Sequence, residues 1–286
     1  MIKLFASDLD GTLLPRNHRF DALIVAGIEK LVHNGRYFTI STGRDCNMSD
    51  LTDIEGIIYK ICLNGAVITD PEKKILKMST IDKSVLKEML ETFDDLDLEF
   101  ITPFKTYTKQ SSESFFEKMK NMPLRDGDDI DVSKMFMERA AQRMVFESSN
   151  EEILKQDVCK INSHLQPGRS YNRLYKFLEK HSSKIVNAPC DKNLIEITGF
   201  GVNKGNAVHW LGEYLNVTDD EIAVYGDGGN DLQMLSKFDN SYAPNTALDE
   251  AKYAANYQLG PYYEYSVIRH MLETLRSDTL SKMIKE

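Results

Sequence analysis

Four short segments of the sequence carry side chains whose types and spacing could do chemistry. They are Asp8–Thr12, Ser41–Arg44, Lys204–Gly205 and Gly226–Asp231. Each stands where an apolar, strand-like run ends or where a helical pattern begins. Ligands of an open parallel sheet bind at the carboxyl ends of its strands. We therefore expect three of these segments to meet in space, although they are far apart in the sequence.

The acidic residues of these segments would form a crowded cluster. They are Asp8, Asp10, Asp227 and Asp231. Two unit charges ~4 Å apart repel by roughly 4 kcal/mol at an effective dielectric constant of ~20, so such a cluster needs a cation. Because the ligands are oxygens, with no His or Cys nearby, the pattern favours a hard ion such as Mg2+.

The remaining polar groups of the four segments suit the oxygens of a phosphoryl group. Lys204 supplies a positive charge. The hydroxyl of Thr42 and the backbone N–H of Gly43 supply hydrogen-bond donors. The sequence therefore predicts a site for a divalent cation and a small phosphorylated molecule.

Alternating strand and helix patterns at both ends of the chain would position these segments. The strand-like runs are Ile2–Ser7, Tyr37–Ile40, Ile57–Leu63, Leu194–Ile197 and Ile222–Tyr225. Helical patterns begin at Asp21 and cover Asn203–Leu215 and Asp231–Phe238. Such alternation is typical of an α/β fold, and we predict a Rossmann-like doubly wound parallel sheet.

The middle of the chain has a different pattern. It mixes predicted helices at Lys83–Phe93, Glu113–Met122 and Glu151–Leu165 with strands at Leu98–Thr102 and Arg143–Glu147, and an acidic run at Asp126–Asp131 is interpreted as a solvated loop. We predict a discontinuous core, residues 1–81 and 185–286, interrupted by an inserted α+β cap domain at 82–184.

The composition limits the class of protein. The chain has 286 residues, 35 basic against 44 acidic side chains and a net charge of −9. It has no dense basic run, so we expect neither nucleic acid nor a membrane surface as a partner. Asp8 and Asp10 interrupt the apolar N-terminal run, so we do not expect it to act as a signal peptide. We predict a cytoplasmic protein whose scattered cysteines are reduced and buried.

The motifs resemble those of the haloacid dehalogenase-like (HAD) superfamily, and within it the Cof-type phosphatases. The resemblance rests on DLDGTLL at Asp8–Leu14, STGR at Ser41–Arg44, GVNKG at Gly201–Gly205 and GDGGND at Gly226–Asp231, in the order of that family, together with LNGA at Leu63–Ala66. It implies an α/β core with a large cap inserted between the second and third motifs. The C-terminal segment at 260–267 departs from the family pattern.

The resemblance also implies roles for individual residues. Asp8 would attack phosphorus and form an aspartyl-phosphate, and Asp10 would act as general acid and base. The implied phosphoryl-binding residues are Leu9, Thr42, Gly43, Lys204 and Asn230, with Thr42 and Lys204 also counted as catalytic. The implied metal ligands are Asp8, Asp10 through its backbone carbonyl, Asp227 and Asp231. Arg44 could instead pair with an acid, and Asp231 could be an orienting residue or an acid at the start of a helix.

These roles predict a Mg2+-dependent phosphatase that hydrolyses small phosphate monoesters, with sugar phosphates as the expected substrates. Two alternatives stay open at this point. One is a phosphotransferase or phosphomutase of the same fold. The other is a regulator that binds a phosphorylated metabolite without turnover, but the presence of both Asp8 and Asp10 argues against it. The sequence does not predict the physiological substrate or the oligomeric state.

Overall fold

A computed structural model describes residues 1–48, 54–121, 141–165, 168–189 and 194–285 of the chain. The predicted acidic loop at 126–131 and Cys190 lie outside these ranges. The chain divides into two units, which we call the core unit and the insert unit. The core unit is Met1–Lys77 with Asn203–Glu286, and the insert unit is Met78–Val202.

The strands and helices of the described residues are numbered in chain order. The strands are β1 Leu4–Ser7, β2 Tyr37–Ser41, β3 Tyr59–Cys62, β4 Val67–Thr69, β5 Ile75–Met78, β6 Glu99–Ile101, β7 Thr106–Tyr107, β8 Met144–Val145, β9 Lys160–His164, β10 Ile185–Asn187, β11 Leu194–Gly199, β12 Ile222–Tyr225, β13 Asn240–Pro244 and β14 Tyr257–Leu259. The α-helices are α1 Ala22–His33, α2 Lys83–Thr92, α3 Ser112–Asn121, α4 Asn150–Leu154, α5 Arg169–Lys180, α6 Lys204–Tyr214, α7 Leu232–Lys237, α8 Asp249–Ala254 and α9 Ser266–Lys285.

The core unit is built on one sheet with the strand order β14-β13-β12-β1-β2-β3-β4-β5. All pairings from β14 to β3 are parallel, and β3 turns back to β4 in an antiparallel hairpin. The predicted α/β fold with a parallel sheet is confirmed. Because β1 lies between β12 and β2, the segments that follow these three strands emerge side by side at one edge of the sheet.

Apolar side chains of the sheet and helices hold this edge in place. Leu4 and Ala6 of β1 are fully buried in a cluster with Val208 and Leu211 of α6. Burying a Leu or Val side chain contributes about 1.5–3 kcal/mol, so this cluster fixes the start of α6 against the strand that precedes Asp8. Within the same core unit, helix α1 packs against helix α9.

The insert unit has its own sheet and its own apolar core. The strand order is β10-β11-β9-β6-β7-β8. Strands β6, β9 and β11 pair antiparallel, and helices α2 and α5 contribute to the buried cluster, where the rings of Phe93 and Phe177 meet edge to face at 5.3 Å. An antiparallel sheet with helices agrees with the predicted α+β class.

Two expectations for the insert unit need correction. Strand β11 pairs with β9, so Leu194–Ile197 is not a core strand, and the insert unit extends to Val202 instead of 184. The predicted helix at Glu151–Leu165 stops at Leu154, and Lys160–His164 forms the strand between β11 and β6. Main-chain pairing on both sides of this strand outweighs a weak helical spacing of apolar residues.

Two further sequence expectations concern the cysteines and the membrane. Cys46, Cys62 and Cys159 are buried, as predicted. Among the described residues, no helix combines the length and the apolar character needed to cross a membrane.

Candidate active site

Asp8 is the first residue after β1, at the carboxyl end of the strand. Its backbone N–H donates to the carbonyl oxygen of Tyr225 at 2.9 Å, which continues the pairing of β1 with β12. Asp227 stands two residues after Tyr225, so two neighbouring strand ends bring the aspartates together. Gly11 lies against the side chain of Asp227: its φ is +83°, and a Cβ at this position would lie 2.4 Å from Oδ2 of Asp227. A glycine is therefore required for this close packing.

Three carboxylates form a compact cluster at this edge of the sheet. Asp8, Asp227 and Asp231 each offer one oxygen, and these oxygens lie within 4.8 Å of one another. Lys204, the first residue of α6, is fully buried. Its Nζ donates to Oδ1 of Asp8 at 2.6 Å and to Oδ1 of Asp231 at 2.7 Å. The structure thus brings four of the predicted site residues into direct contact or close approach.

Hydrogen bonds from neighbouring groups fix the other carboxylate oxygens. Oδ2 of Asp231 accepts the backbone N–H groups of Asp227 and Gly228 at 3.0 and 2.9 Å. Oδ1 of Asp227 accepts from the hydroxyl of Thr12 at 2.7 Å. Both oxygens of Asp231 accept hydrogen bonds. Asp231 therefore orients Lys204 and the loop that begins at Asp227, in addition to being a member of the cluster.

Burial and crowding shift the proton affinities of the cluster. Burial raises the pKa of Asp8 well above its usual range, with the Lys204 charge opposing and the other aspartates adding to the shift. Burial, with the neighbouring charge of Asp231, raises the pKa of Asp227 to about 7. Burial alone would lower the pKa of Lys204, but the charges of Asp231 and Asp8 raise it above its ordinary value.

These shifts test whether the residues fit a divalent cation. Raised pKa values mean that the close, buried carboxylates lack the positive charge needed for all of them to ionise, even with Lys204 present. The donor atoms are all oxygens, which hard cations such as Mg2+ prefer. The cluster of Asp8, Asp227 and Asp231 therefore fits a Mg2+ ion in both charge and ligand type.

Asp10 lies outside the three-carboxylate cluster and is held by Arg44 and His18. Its oxygens accept from Nε and a terminal nitrogen of Arg44, at 2.9 and 2.5 Å, and Oδ1 is 2.8 Å from Nδ1 of His18. Burial alone would raise the pKa of Asp10, but the charge of Arg44 and hydrogen bonds from His18 and Arg44 hold it well below its usual range. Arg44 thus pairs with an acid, the role suggested for it by the sequence.

The segment after β2 carries the predicted phosphoryl-binding residues Thr42 and Gly43. Thr42 is buried, its N–H donates to the carbonyl oxygen of Ile61 at 2.9 Å, and its hydroxyl accepts the N–H of Arg44 at 3.2 Å. The side chain of Leu9 is fully buried, so a phosphate contact of that residue would be through its backbone.

Asn230 contacts Asn64, a residue to which we assigned no role from the sequence. Its Nδ2 donates to Oδ1 of Asn64 at 3.0 Å, and both side chains are buried. Asn64 lies two residues after the end of β3, so its place near a strand end was the signal that could have identified it. His18 gave no comparable signal, because its contact with Asp10 depends on a left-handed turn with a φ of 54°.

Comparisons with known proteins agree with this geometry. A family model described as haloacid dehalogenase-like hydrolase matches residues 5–272. Phosphatase YwpJ of Bacillus subtilis is 25% identical over 276 residues, which cover 89% of this chain and 93% of that protein. An HMP-PP phosphatase of Yersinia enterocolitica is 25% identical over 262 residues, 88% of this chain and 87% of that protein.

A solved structure has the same fold over almost the whole chain. It is a haloacid dehalogenase-like hydrolase from B. subtilis, with a TM-score of 0.81 and 25% sequence identity. The match covers 94% of this chain and 99% of that one. The similarity therefore includes the core unit and the insert unit.

Proposed function

The chain belongs to the haloacid dehalogenase-like hydrolase family, and we propose that it is a Mg2+-dependent phosphatase acting on small phosphate monoesters, with sugar phosphates as the substrate class. The observation that carries this proposal is the placement of Lys204 between Asp8 and Asp231, beside Asp227. A carboxylate nucleophile, a fixed positive charge and a set of oxygen ligands in one place suit phosphoryl transfer.

Asp8 is the proposed nucleophile. One of its carboxylate oxygens attacks phosphorus, the bond from phosphorus to the ester oxygen breaks, and an aspartyl-phosphate forms. Water then attacks phosphorus, the bond to Asp8 breaks, and inorganic phosphate leaves. When bound, Mg2+ would supply positive charge that lets Asp8 ionise and that stabilises the phosphoryl oxygens.

Asp10 is the proposed proton donor and acceptor. It would protonate the leaving oxygen in the first step and take a proton from the attacking water in the second. Its contacts with Arg44 and His18 keep it ionised at neutral pH, which suits proton acceptance. Donation to the leaving group requires that Asp10 first gain a proton against these partners.

The remaining residues would hold the transferred group. Lys204 places a charge next to the nucleophile, so it can stabilise the negative charge that spreads over the phosphoryl oxygens. The hydroxyl of Thr42, the amide of Asn230 and the backbone N–H groups of Leu9 and Gly43 are the proposed hydrogen-bond donors. The ligands proposed for Mg2+ are Asp8, Asp227, Asp231 and the backbone carbonyl of Asp10.

A screen of phosphorylated metabolites with added Mg2+ tests this function. We expect free phosphate to appear, sugar phosphates to give the highest kcat/KM, and Asp8→Asn to abolish release. Phosphate found on a second sugar, with none in solution, would indicate a phosphotransferase instead. Binding without turnover in the wild type would contradict the proposal.

A further inference from the structure

One buried side chain of the core unit has a hydrogen-bond donor without an acceptor. Asn64 is 2% exposed, yet its Nδ2 has no hydrogen-bond partner among the described residues. Leaving a buried donor unpaired is unfavourable, because the group has lost its hydrogen bonds to water. Such a group is explained most simply by a ligand that supplies the acceptor.

The contacts of Asn64 connect it to the segments that we assign to the phosphoryl group. Its backbone N–H donates to the carbonyl oxygen of Thr42 at 3.0 Å. Its Oδ1 accepts from Nδ2 of Asn230 at 3.0 Å. The next residue, Gly65, lies so close to Asn203 that a Cβ would come within 2.5 Å of the carbonyl oxygen that precedes Lys204. Asn64 therefore stands where three of the four chemical segments meet.

The backbone at this position explains which residue types it accepts. Asn64 has a φ of 56°, in the left-handed region of backbone conformation. Gly and Asn adopt this region more readily than other residues. A substitution by Gly can therefore remove the amide and keep the backbone conformation. This makes the side chain testable separately from the turn that carries it.

We propose that Asn64 is a further phosphate-binding residue, whose Nδ2 donates to an oxygen of the phosphoryl group while its Oδ1 holds the amide of Asn230. The inference rests on the proposed function, because the ligand is a phosphoryl group only if Thr42 and Asn230 have the roles proposed for them. The partner of the unpaired donor is an anionic oxygen, for which inorganic phosphate is the simplest probe.

The test compares Asn64→Gly and Asn64→Asp with the wild type in the presence of Mg2+. A hydrogen bond to a charged acceptor is worth about 10- to 100-fold in binding. We expect inorganic phosphate to bind about 10- to 100-fold more weakly to Asn64→Gly by calorimetry, and KM to rise with it. Asn64→Asp lacks the donor and adds a negative charge, so it should weaken phosphate binding at least as much.

Two controls separate this role from a structural one. Thr69→Val removes another buried polar atom without a partner among the described residues, on β4, and should leave phosphate binding unchanged. Mg2+ binding, followed by thermal shift, should be unchanged in Asn64→Gly because Asn64 is not in the carboxylate cluster. Wild-type affinity for phosphate in both folded Asn64 variants would overturn the inference.

Phosphate binding and turnover are measured separately in this design. A wild type that binds inorganic phosphate but releases none from monoesters would contradict the proposed function. In that case, weaker binding in Asn64→Gly would still support the role of Asn64. If Asn64→Gly does not fold, Asn64→Asp decides the outcome, because its side chain has almost the same shape as the native one.

Discussion

The ammonium group of Lys204 lies 2.6 Å from Oδ1 of Asp8, and both side chains are buried. The same ammonium group lies 2.7 Å from Oδ1 of Asp231. Lys204 therefore compensates part of the charge of the cluster before any metal binds, and it stands beside the oxygen that we propose as nucleophile. This arrangement allows its electrostatic role to be tested apart from metal binding.

Lys204→Met should reduce kcat/KM by about 100- to 1,000-fold, the usual loss when one preorganised stabilising group is removed. Mg2+ should bind at least as tightly as in the wild type, because a positive charge has been taken away from the carboxylates. Calorimetry with Mg2+ and steady-state kinetics give the two values. Loss of Mg2+ binding together with activity would show that Lys204 supports the site only structurally.

Lys60→Met provides a matched control for this variant. Lys60 is 2% exposed and pairs with Glu55 at 3.1 Å, outside the carboxylate cluster. Glu55 is partly exposed and keeps Lys73 as a second partner, so we expect a loss of stability smaller than the cost of about 3–5 kcal/mol for a fully buried pair. The kcat/KM of the folded protein should be unchanged.

Mg2+ affinity should rise with pH through the titration of Asp227. The pKa of Asp227 is raised to about 7. Near neutral pH, Mg2+ must therefore displace a proton from this carboxyl in order to bind. Calorimetry in buffers of different ionisation enthalpy should show proton release near about pH 7 that decreases toward about pH 8.5 as Asp227 ionises. Any release that persists comes from Asp8, whose pKa is also raised. The same affinity and no proton release across this range would contradict the assignment of Asp227 as a ligand.

Asp10→Asn should affect poor leaving groups more than good ones. An alkoxide needs a proton to leave and an aryl oxide does not, and general acid catalysis contributes about 100- to 10,000-fold. We expect kcat to fall much further with an alkyl phosphate than with an aryl phosphate. Equal losses on the two substrates would remove Asp10 from the role of general acid.

His270 should make the stability of the core unit depend on pH. Its Nδ1 lies 3.0 Å from the hydroxyl of Tyr225, and its ring is 4.2 Å from that of Tyr242. Burial lowers its pKa below 6.5, with Glu273 opposing. The folded state thus favours the neutral ring, and the stability it contributes is present above about pH 6.5 and lost as pH falls through the lower folded pKa.

Denaturant unfolding between about pH 7 and about pH 5 checks this prediction. In His270→Gln, the fall in the free energy of unfolding over this range should be smaller than in the wild type. His33 is exposed, so His33→Gln should leave the pH dependence as it is. The same fall in the free energy of unfolding in the wild type and in His270→Gln would contradict the proposed contribution of His270.

The sequence placed Asp10 in the carboxylate cluster, which in the described residues consists of Asp8, Asp227 and Asp231. The proximity of Asp8 and Asp227 could be predicted because it follows from topology. Each follows a strand, and the carboxyl ends of neighbouring parallel strands lie at the same edge of a sheet. Lys204 was found through its place at the start of a helix after Asn203. Spacing alone therefore located these residues, and the structure added their contacts.

Other features depended on geometry that spacing does not contain. The contact of His18 with Asp10 and the position of Asn64 both require left-handed backbone conformations. The insert boundary was misplaced because Leu194–Ile197 was interpreted as a core strand. Glu196 within that run is buried and pairs with Lys160 on the neighbouring strand, a long-range contact that local patterning does not reveal.

The most direct test of the central claim is to trap the intermediate on Asp8. Wild-type protein, mixed with Mg2+ and a radiolabelled phosphate monoester and quenched in acid within one turnover, should carry label that hydroxylamine removes. Borohydride reduction and mass spectrometry should locate the modified residue at Asp8, and Asp8→Asn should remain unlabelled. Turnover at the wild-type rate by Asp8→Asn, or label at another residue, would contradict the mechanism.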